Sequence, residues 1–291
     1  MQIDYIVSAE NCHYERPSGD EAILTGQKIM QFKNFKIHVY RGYVQNNYLV
    51  EYSDKILMVD GACRPDMEKI ALFVKEKLGR SMADIKLTAV THCHPDHAGA
   101  AHLLREKYGI PVAAPYDIDV WYSGVGGFFQ HLSDTFQANF MAMKMKTKLK
   151  RLYYRRKLNP DYKIFDGSEL PHFSDWRAIH APGHTSHNIM LYNEENRLLY
   201  IADSIIDSNG KFLPPVPVLF PSEMKKSLLK IKELKPDIIL LAHSPSPFLP
   251  YNEEMVDKTL RKVDAKDPFF IRLFYLISKF TGEYRRRREK P

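Results

Sequence analysis

Three histidines and an aspartate fall within six residues, His92 to His97, in the stretch AVTHCHPDHAGA, directly after an apolar run. Polar groups this dense are costly beside a core unless something pairs with them. The chain must therefore fold so that a rigid element delivers the cluster to a point where a partner can meet it. "DIKLTAVTH" reads as the strand that delivers it, and "AGAAHLLREKYG" as the helix that leaves it, stopped by Gly109. Neutral imidazole and carboxylate suit zinc and related first-row metals. Side chains alternate along an extended segment, so His92 and His94 face together while Cys93 points away and is set aside as a ligand. Asp96 and His97 open the helix and approach the same point from another angle. Four potential ligands exceed the three protein ligands plus water of an open catalytic site. The surplus points to two metals.

A second metal needs further ligands from downstream, and three candidates stand where an apolar run meets a polar loop. His184 lies in "HAPGHTSHN", after the strand "WRAIHAP"; Asp203 ends "LLYIAD"; His243 ends "DIILLAH".

The remainder of the 291 residues reads as β-rich, helical, β-rich and helical again. "FKIHVYRG", "NYLVEY" and "KILMVDGA" have strand composition, and "RPDMEKIALFVKEKLG" has helical spacing. Apolar strand runs suggest sheets covered on both faces or stacked on each other, and periodicity leaves a Rossmann-type sheet and a two-sheet sandwich both open. No Gly-x-Gly-x-x-Gly follows an early strand, which argues against a dinucleotide site. Residues 1–250 read as one domain carrying a helical insert at about 117–160, and 251–291 as a helical tail. The insert reads mostly as one long basic amphipathic helix, with Met141, Met145, Leu149 and Leu152 on its core stripe. Phe140 to Lys163 holds nine Lys/Arg against one acid, Asp161, and so accounts for the whole net charge of +7. Such a block is a solvated helix face, a lid or dimer contact, or a surface for an anionic ligand, RNA or membrane. Cys12, Cys63 and Cys93 are too few and too scattered for a disulfide framework. With no secretory signal at the start of the chain and no run long enough to span a bilayer, the expected location is the cytoplasm.

His-x-His-x-Asp-His, then the histidine of Pro-Gly-His-Thr, then a strand-end aspartate and a strand-end histidine together resemble the metallo-β-lactamase superfamily over roughly residues 30–245. The resemblance implies an α/β fold, an αββα four-layer sandwich, with a binuclear site at one edge. It implies that His92, His94 and His184 hold one metal, that Asp96, His97 and His243 hold the other, and that Asp203 bridges them. It also matches Asp60 of "MVDGA" to the aspartate that orients a ligand histidine from behind. "HAPGHTSHN" is most similar to the glyoxalase II and lactonase-type members. Ile206 stands where the lactonases that open acyl-homoserine lactones carry tyrosine, and Ala202 where glyoxalase II carries glycine.

The function expected is that of a metal-dependent hydrolase with two divalent ions, zinc first and iron or manganese as alternatives. A metal-bound hydroxide would attack an ester-like acyl bond (thioester, lactone or ester) of a small, anionic substrate. Asp96 would serve catalysis as well as metal binding, by holding the nucleophile's proton. His187, Tyr192 and Tyr116 are candidates for the general acid. The alternatives are a phosphodiesterase or ribonuclease using Lys148, Lys150 and Arg151, a mononuclear iron dioxygenase, a non-catalytic ligand-binding module and a membrane-associated lipid hydrolase. A homodimer is compatible with all of them.

Overall fold

The structure is a computed structural model that describes residues 28–265 and 275–288. Two sheets form its centre. The first has seven strands in sequence order: β1 (Lys28–Gln31), β2 (Phe35–Arg41), β3 (Asn46–Tyr52), β4 (Ile56–Val59), β5 (Ile85–Ala89), β6 (Val112–Pro115) and β7 (Tyr162–Ile164). The second runs in the order β15 (Phe248–Pro250), β14 (Ile238–Leu240), β11 (Leu198–Tyr200), β10 (Ile189–Asn193), β9 (Phe173–His180) and β8 (Glu169–Leu170). A small hairpin, β12 (Ile206–Ser208) and β13 (Lys211–Leu213), stands apart.

Strand alternation explains why these segments read as continuous apolar runs. Ile37, Val39, Tyr48, Val50, Leu57 and Val59 of the first sheet face Trp176, Leu191, Tyr200 and Leu240 of the second in one shared core. The intervening residues Tyr40, Leu49, Ile56 and Met58 point the other way, onto α1 (Met67–Glu76) and α3 (Ala101–Tyr108). On the far side, Met190, Leu199 and Ile239 pack under α6 (Pro221–Leu234) and α7 (Glu253–Leu260). Both faces of each sheet are buried, which gives four layers in the order αββα. Gly109, at φ 70°, closes α3 in the left-handed conformation that a residue with a Cβ adopts only under strain.

The insert departs from the sequence reading. After α4 (Ile118–Trp121), α5 runs from Gly124 to Lys144 and stops before most of the basic block. The N–H of Thr147 donates to Ala142 and that of Lys146 to Met143, with Lys146 at φ 55°: a Schellman ending without glycine. The chain then continues without helix, tied down where the Lys150 N–H donates to the Tyr43 hydroxyl. In this stretch Leu152 and Tyr154 are buried while Lys150, Arg151, Tyr153 and Arg155 are exposed, a period of two rather than of 3.6. The expected core stripe is therefore split: Met141 and Leu149 are exposed while Met145 is half-buried and Leu152 buried, and the buried face of α5 is instead Gly127, Gln130, His131, Asp134, Ala138 and Ala142.

His131 on that face sits among Tyr122, Tyr153 and Tyr154, with ring centroids 4.9, 5.0 and 4.7 Å away. Burial holds its pKa down at about 4, against an upward pull from Asp134. The unfolded chain takes up this proton first, near its usual value of about 6.5. Stability should therefore fall as pH drops through the window from about 6.5 to about 4. We expect Tm to decline over that range, and His131→Phe, which keeps a ring in the cage, to decline less steeply. Identical slopes would show that His131 is not a site of acid sensitivity.

Candidate metal centre

All seven expected ligands converge at one end of the two sheets. His92 and His94 follow β5 in a bend, with His94 itself in an extended conformation. Pro95 then starts the one-turn helix α2 (Pro95–Ala98), for which His94 is the N-cap residue, and α2 carries Asp96 and His97. His184 follows β9, Asp203 lies in a single 3-10 turn after β11, and His243 follows β14. Two supports come from the backbone: the Asp207 N–H donates to the His243 carbonyl, and the Leu219 and Phe220 N–H groups donate to Gly183 beside His184.

The side chains fall into two sets, His92, His94, His184 and Asp203 on one side and Asp96, His97 and His243 on the other. In the first, the Nδ1 of His94 lies 3.0 Å from His92 Nε2 and 2.9 Å from His184 Nε2. In the second, His243 Nε2 lies 3.1 Å from Asp96 Oδ2, and His97 Nε2 3.7 Å from that oxygen. Asp203 stands between the sets. Its Oδ1 is 3.2 Å from His97 Nε2 and 3.3 Å from His243 Nε2, while its Oδ2 is 3.5 Å from His184 Nε2 and 3.9 Å from His92 Nε2.

The opposite edge of four rings faces an acceptor. His97 Nδ1 donates to Asp60 Oδ2 at 2.7 Å, and His184 Nδ1 to the Pro217 carbonyl at 2.8 Å. His92 Nδ1 faces the Thr91 hydroxyl at 3.2 Å, and His94 Nε2 faces Asp134 Oδ2 at 3.4 Å. Acceptors outside hold the protons outside, so that each ring turns its lone pair inward. His97 Nε2 and Asp203 Oδ1 are buried and make no hydrogen bond, although they face each other. Converging nitrogen lone pairs, two carboxylates and an unsatisfied N/O pair fit a divalent cation of zinc type.

Electrostatics separate the sets. Burial, with help from neighbouring histidines, pushes His92 well below its usual range and His184 to about 4. Burial also opposes a proton on His97 and His243, but the surrounding carboxylates win. Asp203, Asp60 and Asp96 raise His97 well above its ordinary value, and Asp203 and Asp96 raise His243 to about 9. Asp96, despite burial, is drawn down to about 2 by His97 and His243. The Asp96 side of the site thus demands positive charge; on the other side His92 and His184 offer neutral nitrogen donors, while His94, despite burial, is raised above its usual value by Asp134 and the nearby carboxylates.

Asp60 is fully buried at the end of β4 and gathers four donors. Its Oδ1 accepts from the Thr91 N–H (2.7 Å) and hydroxyl (2.8 Å); its Oδ2 accepts from His97 and from the Tyr200 hydroxyl (2.5 Å). Cys93 packs in an apolar cluster away from the other side chains, and neither it nor Cys63 is in a disulfide; Cys12 lies outside the described residues. Of the acid candidates, His187 is the nearest, accepting the Cys93 N–H at Nε2. Tyr192 packs in the layer under α6 and α7, and Tyr116 is exposed and stacked on Phe165. One residue beside the site escaped the sequence reading. Asp134 reaches His94 from α5, its carboxylate held by Tyr122 and Gln130. Its signal is a pair of polar residues, Gln130 and Asp134, in phase with the small residues Gly127, Ala138 and Ala142.

Comparison with known proteins gives the same architecture. Among curated proteins the chain is similar to the Probable metallo-hydrolase YflN of Bacillus subtilis, 22% identical over 227 residues covering 71% of this chain and 83% of that one. It is also similar to the Probable metallo-hydrolase YqjP of the same organism, 23% identical with 67% and 66% covered. Among solved structures, a metallo-beta-lactamase family protein of Thermus thermophilus superposes with a TM-score of 0.59 at 18% identity, covering 84% of this chain and 89% of that one. One from Sulfolobus tokodaii gives 0.55 at 16%, with 85% and 94% covered. The family model of the metallo-beta-lactamase superfamily matches residues 40–243, from Tyr40 on β2 to His243 itself. With that match spanning most of the chain, the protein belongs to the metallo-beta-lactamase superfamily.

Proposed function

We infer that this metallo-hydrolase is binuclear and cleaves an ester-like acyl bond: a thioester, lactone or ester. His92, His94 and His184 would hold one divalent ion, Asp96, His97 and His243 the other, and Asp203 both. Zinc is the ion best suited to imidazole and carboxylate donors. The observation that carries the reading is Asp203, one oxygen turned to each set. Bound ions of this kind supply Lewis-acid polarisation of a carbonyl and a nucleophilic water near neutral pH.

The residues around them have separate tasks. Asp60, Asp134, Thr91 and the Pro217 carbonyl fix the ring orientations. Asp96, kept ionised by its histidine neighbours, can hold the proton of the attacking water until the leaving oxygen or sulfur takes it. The acyl reading gains support from charge. Among the described residues no lysine or arginine pairs with Asp96, Asp134 or Asp203, and Arg287, which donates to the Ser186 carbonyl beside His184, is itself paired with Glu223 and Glu283. Lys148, Lys150 and Arg151 are exposed on the insert instead.

The test is a panel of thioesters, lactones, esters and phosphodiesters with the zinc-loaded chain and with His184→Ala. Acyl hydrolysis that His184→Ala abolishes is expected. Phosphodiester cleavage alone would overturn the substrate class. A second expected outcome concerns Asp134→Asn. Loss of such an outer carboxylate costs about 10- to 100-fold in metal affinity. Competition against a chelator should show this range, and unchanged affinity would remove Asp134 from the centre's support.

A further inference from the structure

The insert helix α5 is built inside out. Its protein-facing side carries Gln130, His131 and Asp134 among glycine and alanine, and its outer side carries Val125, Phe129, Leu132 and Met143. Val125 is 76% exposed, Phe129 56% and Met143 56%. A surface helix ordinarily turns its apolar stripe to the core. The exposed apolar surface continues beyond the helix. Leu149, 61% exposed, lines a groove of about 370 Å³ with Met143 and Lys150. At the other end, the backbone of Phe280 lies so close to Gly126 that no Cβ fits between them, and the Phe280 ring is 61% exposed.

Positive charge rims this ridge. Lys144, Lys146, Lys148, Lys150 and Arg151 are exposed, and none is in an ion pair with a described carboxylate. Arg285 reaches over the Phe280 ring, with its guanidinium carbon 5.9 Å from the centroid. Apolar side chains edged by lysine and arginine match the boundary between acyl chains and anionic headgroups. A second copy of the chain fits this ridge poorly, because pairing the ridges would bring two such basic rims together. Nucleic acid would meet the charges and could stack on the phenylalanines, but it would leave the aliphatic side chains of Val125, Leu132, Met143 and Leu149 unused.

We propose that the outer face of α5 and the basic segment after it dock this protein peripherally on an anionic phospholipid bilayer. No described helix is long and apolar enough to cross a membrane, so the contact is with one leaflet. The inner face of the same helix carries Asp134 to His94, which places the metal centre about one helix diameter, roughly 10 Å, from the lipid surface.

The experiment is co-sedimentation of the full chain with vesicles of phosphatidylcholine alone and of phosphatidylcholine mixed with phosphatidylglycerol. Binding to the mixed vesicles, weak binding to the neutral ones, and weakening as salt rises are expected. Phe129→Ser with Leu132→Ser, and separately Lys148→Glu with Lys150→Glu, should each lower partitioning by about ten-fold or more. Both pairs lie on the exposed surface, so circular dichroism and Tm should stay near the parent's. Four results would overturn the proposal: no vesicle binding; binding that the charge reversals abolish but the serine pair leaves intact; salt-sensitive RNA binding without vesicle binding; or a dimer that the serine pair dissolves while vesicles bind neither form.

Discussion

Asp203→Asn is expected to lower hydrolysis about a thousand-fold, a loss of roughly 4 kcal/mol of transition-state stabilisation. It should also reduce bound metal from two ions per chain to one. Among the described residues the carboxylate is the one group with an oxygen turned to each set of donors, at 3.2 and 3.3 Å through one oxygen and 3.5 and 3.9 Å through the other. Asparagine fills the same space but has one acceptor oxygen, and its amide nitrogen offers no lone pair to a cation. One set must lose its fourth donor. In the parent, His97 and His243 hold Asp203 well below the usual carboxylate range, against burial. The neutral variant removes that charge, so their own pKa values should fall back towards the ordinary histidine range. A retained circular dichroism spectrum would separate loss of metal from loss of fold. Two bound ions and full activity in the variant would contradict the shared role of Asp203.

The second large effect is on stability. Asp60→Ala strands four buried donors: the Thr91 N–H and hydroxyl, the His97 Nδ1 and the Tyr200 hydroxyl. An unsatisfied buried polar group costs about 1–3 kcal/mol. Alanine must also occupy a left-handed position, φ 64°, at a cost of roughly 1 kcal/mol or more. The total, on the order of 5 kcal/mol or above, rivals the whole stability of a typical domain. Asp60→Ala should therefore fail to accumulate as folded protein. Asp60→Asn keeps the volume and suits the left-handed backbone, but only one of its two terminal atoms accepts. It should fold with a lower Tm and bind metal more weakly through a less firmly held His97. Equal Tm for parent and alanine variant would show that Asp60 is not the hub the hydrogen bonds describe.

The contrast between Asp60 and Asp134 shows what a sequence makes legible. The seven converging side chains were readable because each stands at a strand end or in the His-x-His-x-Asp-His run, where local chemistry and resemblance agree. Strand runs such as "KILMV" and "DIILL" gave a layered α/β fold, but only the resemblance chose the sandwich, because burial on both faces erases the alternation. Asp134 was hidden because it comes from a crossover with no motif, and only the packing of α5 onto α2 brings it to His94. The insert misled for a related reason. Its methionines and leucines are spaced for a helix, yet the apolar stripe faces outward and the core side is small and polar. Periodicity reports that two faces differ; it does not report which one the protein covers. The basic stretch after Lys144 could not be read as non-helical because its ties, such as the Lys150 N–H to Tyr43, are long-range.

The central claim is that the two sets of side chains act as one binuclear centre. It is tested most directly by stripping the full chain of metal, titrating it with zinc, and measuring bound metal together with X-ray absorption. The account predicts two zinc ions per chain with a metal–metal distance of about 3.5–4 Å, and fewer bound ions in His184→Ala. Saturation at one ion per chain, with no metal–metal scattering, would contradict it.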